Sequence, residues 1–262
     1  MSWCAVPRRA VFCLLAAGLS FIPFQDTRAA EAISGFDFLS QQNQELQQDN
    51  FANPGYLWVE AGAARFAEDG CTDCHPQGSM RGVAVKFPRL DTATGLLENL
   101  ETQINQCRTE QTKRKVYGYE SQALLSLTTY ISAQSAGLRW SLGSPAGSSG
   151  ILPVALKTAM DRGEAYFRER RGQQNLSCAH CHEQNAGQRL RGEIISQGQI
   201  NGYPAYRHVW GTLGSTHRLF AWCNEAVGAE PLMPGNQTWI ELELYLRYRG
   251  QALKNESPAV RR

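Results

Sequence analysis

Two short stretches set thiols beside an imidazole at a spacing that dictates their chemistry: CTDCH, from Cys71 to His75, and CAHCH, from Cys178 to His182. In a C-x-x-C-H segment two thiols can bond the two vinyl groups of one haem, and the adjacent histidine is then held where its ring ligates the iron. Zinc ribbons place their cysteine pairs about 15–20 residues apart, whereas over a hundred residues separate these two pairs. The motifs therefore predict two covalently attached haem c groups. Cys71, Cys74, Cys178 and Cys181 are the attachment thiols, and His75 and His182 are one axial ligand each.

The second axial position usually takes a side chain from the loop before the last helix of such a domain, most often methionine or histidine. No histidine follows His75 in the first half, and Met80 is five residues away. Five extended residues span at most ~17 Å, too little to pass round a porphyrin and return to the iron. One lone cysteine stands in each half instead: Cys107 in ETQINQCRTEQ and Cys223 in STHRLFAWCNEA. Cys107 lies 23 residues before Tyr130 and Cys223 lies 22 before Tyr245, so the two occupy equivalent places. Thiolate ligation at both irons is the expectation. A Cys107–Cys223 disulfide is the alternative, and it requires the two sites to meet within ~7 Å. Met233, His208 and His217 are rivals at the second iron, the histidines better suited to hydrogen bonds near the haem edge and Met233 to packing.

The flanks of the motifs repeat in order. Gly62 and Phe66 precede the first, Gly163 and Phe167 the second, with Pro54 and Pro153 marking helix starts. LLSLTTYIS, with Tyr130, and WIELELYLRY, with Tyr245, read as amphipathic closing helices. A glycine-bearing first helix can cross closely over a last helix, as in small c-type cytochromes. The predicted fold is mostly α, as two tandem class I cytochrome c-like domains over residues 31–140 and 154–262, each with one haem. The Ser/Gly/Pro-rich stretch 141–153 is the linker. The polar segment from Ala32 to Asn53 reads as a helical lead-in that covers the first domain or a partner.

Residues 1–30 carry Arg8 and Arg9, an apolar run from Val11 to Phe24, and small residues near Ala30, the pattern of a cleaved secretory signal peptide. A periplasmic location follows. No later segment has the ~20 apolar residues of a membrane span. Without the leader the chain has 23 basic and 23 acidic side chains, which excludes the basic face of a nucleic-acid binder. Six cysteines remain of eight.

The two C-x-x-C-H motifs, a lone cysteine after each, and HRLFAWCN followed by AEPL together resemble the SoxA family, the dihaem subunits of the Sox sulfur-oxidising system. The likeness spans nearly the whole chain after the leader. It implies an L-cysteine S-thiosulfotransferase that joins thiosulfate to a cysteine of the SoxYZ carrier protein. It further implies a heterodimer with the monohaem cytochrome SoxX and electron transfer to a c-type cytochrome. By position, Cys107 becomes the distal ligand of the first haem, and Cys223 both the distal ligand of the second and the catalytic residue, expected as a persulfide. The family places a substrate-binding arginine four residues before that cysteine, where this chain has Leu219; Arg218 stands one residue earlier and is the candidate substrate-binding residue. Ten arginines and no lysine lie between Arg162 and Arg249, and forked planar donors suit tetrahedral oxyanions. Two other classes share the haem motifs: an electron-transfer cytochrome, which would be expected to use methionine or histidine as sixth ligand, and a peroxidase, which needs one iron open to peroxide.

Overall fold

Helices begin where a short polar side chain can take up the free N–H groups of the first turn. The computed structural model describes residues 31–76, 78–91, 93–142 and 153–262. Ser40 caps α1 (Gln41–Gln48). Asn99 caps α3 (Leu100–Glu110) and Ser121 caps α4 (Gln122–Ala133). Ser215 caps α6 (Thr216–Ala226) and Asn236 caps α7 (Gln237–Arg249). The two long first helices start without side-chain caps: α2 (Tyr56–Glu68) follows Pro54-Gly55, and α5 (Val154–Arg168) starts at Pro153. Among the described residues no helix is long and apolar enough to cross a membrane. The expected leader, residues 1–30, and most of the expected linker fall outside the described residues.

The glycines set the architecture. α2 crosses α4 at Gly62, where an added Cβ would collide with the carbonyl of Ser126 and crowd Tyr130. α5 crosses α7 at Gly163, where it would collide with the carbonyl of Glu241 and crowd Tyr245. Each crossing carries the same ring pair: Phe66 against Tyr130 at 5.4 Å, and Phe167 against Tyr245 at 5.5 Å. One core gathers Phe66, Met80, Leu100, Ile104, Leu124 and Leu127. A second gathers Phe167, Ile200, Tyr203, Phe220, Trp239 and Leu242.

Strands are short. β1 (Arg89–Leu90) pairs antiparallel with β2 (Leu97–Glu98), and β3 (Arg189–Leu190) with β4 (Glu193–Ile194). A three-stranded sheet has β5 (Ala205–Arg207) in the middle, antiparallel to β6 (Thr212–Gly214) and parallel to β7 (Ala259–Arg261).

The segments Ala32–Arg262 make one compact unit, and a third core explains why. Trp140 and Leu142, at the start of the expected linker, are buried with Val85 and Leu97 on one side and with Leu156, Ala159, Ile240 and Leu244 on the other. Leu142 of the expected linker is thus core, while its neighbour Ser141 is exposed. The lead-in also departs from expectation by resting on the C-terminal segments. Asn53 donates to the carbonyl of Pro258 at 2.9 Å, Ser34 donates to Glu256 at 2.7 Å, and Gln47 accepts from the Val260 N–H at 3.1 Å.

Candidate active site

The second haem motif follows α5 and turns through a wide π-helical segment, His180–Gln184. His182 Nδ1 lies 2.8 Å from the Ser196 carbonyl. A carbonyl only accepts, so Nδ1 carries the proton and the lone pair is on Nε2, the tautomer a metal-ligating histidine needs. Gly198, at φ +72°, packs beneath the ring, where a Cβ would lie 2.8 Å from His182 Cγ. The half-buried ring is therefore fixed in both tautomer and plane. His180 is engaged locally, with Nδ1 2.7 Å from the Ser177 hydroxyl.

Cys223 comes to this motif on α6, whose third turn it occupies; it was expected in a loop. Its neighbour Asn224 anchors that helix: Asn224 Nδ2 donates to the Phe220 carbonyl at 2.8 Å, and Asn224 Oδ1 accepts from Tyr166 at 3.2 Å. Tyr166 in turn accepts from Trp239 Nε1 at 3.1 Å. The Cys223 thiol is pushed up to about 12, first by burial and next by Cys178, with Arg207 drawing it back down. Cys178, Cys181 and Arg207 thus all lie within electrostatic range of its sulfur. The polypeptide alone does not make this thiol a thiolate; a haem iron held beside it would supply the missing positive charge.

The first half repeats the plan. Cys107 is the eighth residue of the eleven-residue α3, as Cys223 is of the eleven-residue α6. The Cys71 thiol is raised by burial and then by Asp69, and Cys107 is close enough to act on it too. Gln103 Nε2 donates to Cys107 Sγ at 3.2 Å. His75 sits beside Phe66, ring centres 6.3 Å apart. All six described cysteines are free thiols, so Cys107 and Cys223 are not joined.

The rival ligands are elsewhere. His217 is buried, accepts from the Gly235 N–H at 2.9 Å through Nδ1, and turns Nε2 toward Glu243 at 3.6 Å. Met80 belongs to the first core. Met233, expected to pack, is 78% exposed. His208 is exposed beside Tyr206.

Arg218 lies near the start of α6 with its guanidinium 4.6 Å from the centre of Trp210, and its charge acts on Glu120. Arg207, on β5, stands over the same ring at 4.9 Å and over Trp222 at 5.7 Å. Sequence reasoning counted Arg207 among many arginines and missed its nearness to Cys223. The only signal in the sequence was the run of arginines without lysine.

In each half the donor set thus fits haem c: two thiols, a histidine, and a cysteine sulfur brought to the same place. A family profile for the SoxA/TsdA cytochrome c domain matches residues 57–140. An L-cysteine S-thiosulfotransferase subunit SoxA from Pseudaminobacter salicylatoxidans is 34% identical over 239 residues, 88% of this chain and 81% of that protein. The chain belongs to the SoxA family. The SoxA subunit from Paracoccus pantotrophus is 32% identical over 87% of this chain and 78% of that protein. A chain of the crystal structure of SoxXA from P. pantotrophus superposes with a TM-score of 0.81 at 31% identity, covering 88% of this chain and 87% of that one. As a SoxA-family cytochrome c the chain carries covalently attached haem c. The AEPL segment of this SoxA-family chain gives Glu230 and Leu232 to a 410 Å³ cleft behind Asn224.

Proposed function

We propose that this chain is the catalytic subunit of a thiosulfate-conjugating cytochrome, with Cys223 as the sulfur that reacts. Relatives across most of its length are L-cysteine S-thiosulfotransferase subunits, and the activity of this chain is that thiosulfotransferase activity. Two haem c groups are held, one by Cys71, Cys74 and His75 with Cys107, the other by Cys178, Cys181 and His182 with Cys223. The observation that carries the assignment of Cys223 is its position: a half-buried sulfur beside Cys178 and Cys181, next to the exposed Trp222 and within range of an arginine.

Bound haem supplies a one-electron acceptor and a cation that holds a neighbouring sulfur as thiolate. The remaining chemistry belongs to the chain and its substrates. The Cys223 sulfur, as thiolate or as the outer atom of a persulfide, forms a sulfur–sulfur bond to the terminal sulfur of thiosulfate, with loss of two electrons. The carrier's cysteine thiolate then attacks that former terminal sulfur, the one bonded to the sulfonate. The bond to Cys223 breaks, and the Cys223 sulfur leaves as a thiolate. The net change converts a carrier thiol and thiosulfate to the S-thiosulfonate, one proton and two electrons, the electrons passing to a c-type cytochrome. Arg218 adds positive potential at the mouth, which favours a dianion. The carrier is SoxYZ, the heterodimer partner is SoxX, and the site of action is the periplasm after removal of residues 1–30. The two tandem cytochrome c-like domains of residues 31–140 and 154–262 keep the reactive sulfur in the second.

The deciding experiment replaces Cys223 by serine. Attachment depends on Cys178 and Cys181, so Cys223→Ser retains two haem masses in the intact protein, yet thiosulfate conjugation to the carrier stops. Conjugation at the normal rate overturns the role of Cys223. Peptide mass analysis of the wild type is expected to find Cys223, and not Cys107, partly heavier by one sulfur atom.

A further inference from the structure

Gln103 and Leu219 hold the same place: each is the fourth residue of its helix, α3 or α6, and stands four before the lone cysteine. Residues four apart on a helix lie on one face, so each side chain adjoins the cysteine it precedes. In the first half this neighbour is a donor, with Gln103 Nε2 donating to Cys107 Sγ at 3.2 Å. In the second it is a hydrocarbon. Leu219 is half-buried and packs on the second core, as Cys178 does. No described residue donates a hydrogen bond to Cys223 Sγ, which meets only burial and the charges of Cys178, Cys181 and Arg207.

The orientation of the Gln103 amide is fixed from its other side. Its Oε1 accepts from the Arg89 guanidinium, which leaves the nitrogen facing the sulfur; a flipped amide would set N–H groups against N–H groups. Arg89 is held in turn by Glu98, its cross-strand partner on β2, at 2.6 Å, and lies over the Phe87 ring at 4.7 Å. The chain from Glu98 through Arg89 and Gln103 ends on the Cys107 sulfur. A hydrogen bond to an ionised sulfur occupies a lone pair and spreads its charge, and nucleophilicity falls with the lost basicity. Donors to a ligand sulfur also draw electron density from the iron and raise its potential.

We infer that Gln103 is a specificity-determining residue: it keeps the Cys107 sulfur a spectator, and the hydrocarbon at the matching position, Leu219, leaves the Cys223 sulfur to react. The inference rests on the reading of Cys223 as the reacting sulfur and of both lone cysteines as iron ligands. It deepens that reading by naming, within the chain, what separates two sulfurs carried on helices of one plan.

The experiment uses the full-length holoprotein with its partner subunit. In Gln103→Leu the potential of the haem that Cys107→Met also moves is expected to fall, opposite to the rise in Cys107→Met, while the other potential stays. Iodoacetamide, which forms a carbon–sulfur bond as iodide leaves, is expected to alkylate Cys107 about threefold faster than in the wild type, read by peptide mass against Cys223 in the same sample. That factor is the square root of the ~tenfold stabilisation that a charge-assisted hydrogen bond contributes. Gln103→Glu keeps the length and the Arg89 contact but has no N–H, so it separates the donor from the packing; both readouts are expected to move in the same direction as in Gln103→Leu. An unmoved potential and alkylation rate in Gln103→Leu overturn the inference, and so does a shift confined to Gln103→Glu, which is the effect of its charge. Leu219→Gln is the reciprocal change, expected to raise the other haem potential and to slow conjugation about threefold; conjugation at the wild-type rate overturns the part played by position 219. The readings beneath are tested apart: a Cys107→Met protein with neither potential moved defeats ligation by Cys107, and normal conjugation in Cys223→Ser defeats the reacting sulfur, whatever Gln103→Leu shows.

Discussion

Cys107 and Cys223 hold the same place on helices of the same length, each behind the same glycine-and-tyrosine crossing, yet the charges around them are arranged differently. In the first half the arginine beside the cysteine, Arg108, is closed off: it pairs with buried Asp69, stacks on Tyr117 at 3.4 Å, and donates to the Lys115 carbonyl at 3.1 Å. In the second half the arginine nearest in charge to the cysteine, Arg207, comes from a strand, donates through Nε to the main-chain oxygen of Arg262 at 2.9 Å, and stands over the indoles of Trp210 and Trp222. One fold plan thus gives its two lone cysteines different charged surroundings: a buried ion pair on the cysteine's own helix in one half, a strand arginine under two indoles in the other.

The largest break in the likeness is expected between the two cysteines. Cys107→Met is expected to change the spectrum and raise the potential of one haem while thiosulfate conjugation continues, against complete loss in Cys223→Ser. Conjugation assays and redox titration on both variants check this. Arg108→Leu leaves buried Asp69 with only Arg114 at 3.4 Å and the Tyr117 hydroxyl at 3.1 Å, and is expected to cost about 1–3 kcal/mol in stability, read from denaturant unfolding of the holoprotein. A loss below about 1 kcal/mol defeats the idea that this pair closes the first half. Arg218→Ala, at a half-exposed position, is expected to raise the KM for thiosulfate a few-fold with the haem spectrum unmoved; an unchanged KM removes Arg218 from the substrate site.

The smallest effect concerns the seam between the halves. Glu101 on α3 is buried and pushed up to about 8, by burial first and by Glu243 second. Glu243 on α7 is held low despite its burial, by His217 and Arg247. Glu101 binds its proton more tightly folded than unfolded, so its contribution is full below about pH 4.5 and is lost as pH rises through about 8. Glu243 has the opposite sign, with its contribution present above the ordinary carboxylate range and lost as pH falls. Glu101→Gln is therefore expected to flatten the decline of Tm between pH 5 and 8, measured by scanning calorimetry (about these limits). An unchanged slope rules out Glu101 as its source.

The haem motifs, the paired lone cysteines and the Gly-Phe-Tyr crossings were legible because each depends on residue type at short spacing. The helices that carry the lone cysteines were not. The buried side of α3 is Leu100, Glu101, Ile104 and Arg108, and that of α6 is Thr216, His217, Phe220 and Asn224. Half or more of each set is polar, so no apolar stripe marks either helix. Asn99 and Ser215, short polar residues at the first turn, were the signals that could have found them. Arg207 was hidden for a different reason: Arg218 is nearer to Cys223 in the chain, but a strand brings Arg207 to it in space. The lead-in was read as a cover for the first half because it precedes that half, and only its hydrogen bonds to residues 256–260 reveal its place.

The parallel pairing of β7 with β5 bears on the order in which the chain is made. Residues 259–262 leave the ribosome after both C-x-x-C-H motifs and Cys223, yet the strand carrying Arg207 leans on them, and Arg207 Nε donates to the main-chain oxygen of Arg262. A polypeptide interrupted before Ala259 has both C-x-x-C-H motifs and Cys223, and would stain for haem like the finished product. It lacks the parallel partner of β5. Pigment therefore reports maturation of the cofactor sites and not completion of the sheet, and a preparation sorted by colour alone would mix full-length and shortened chains.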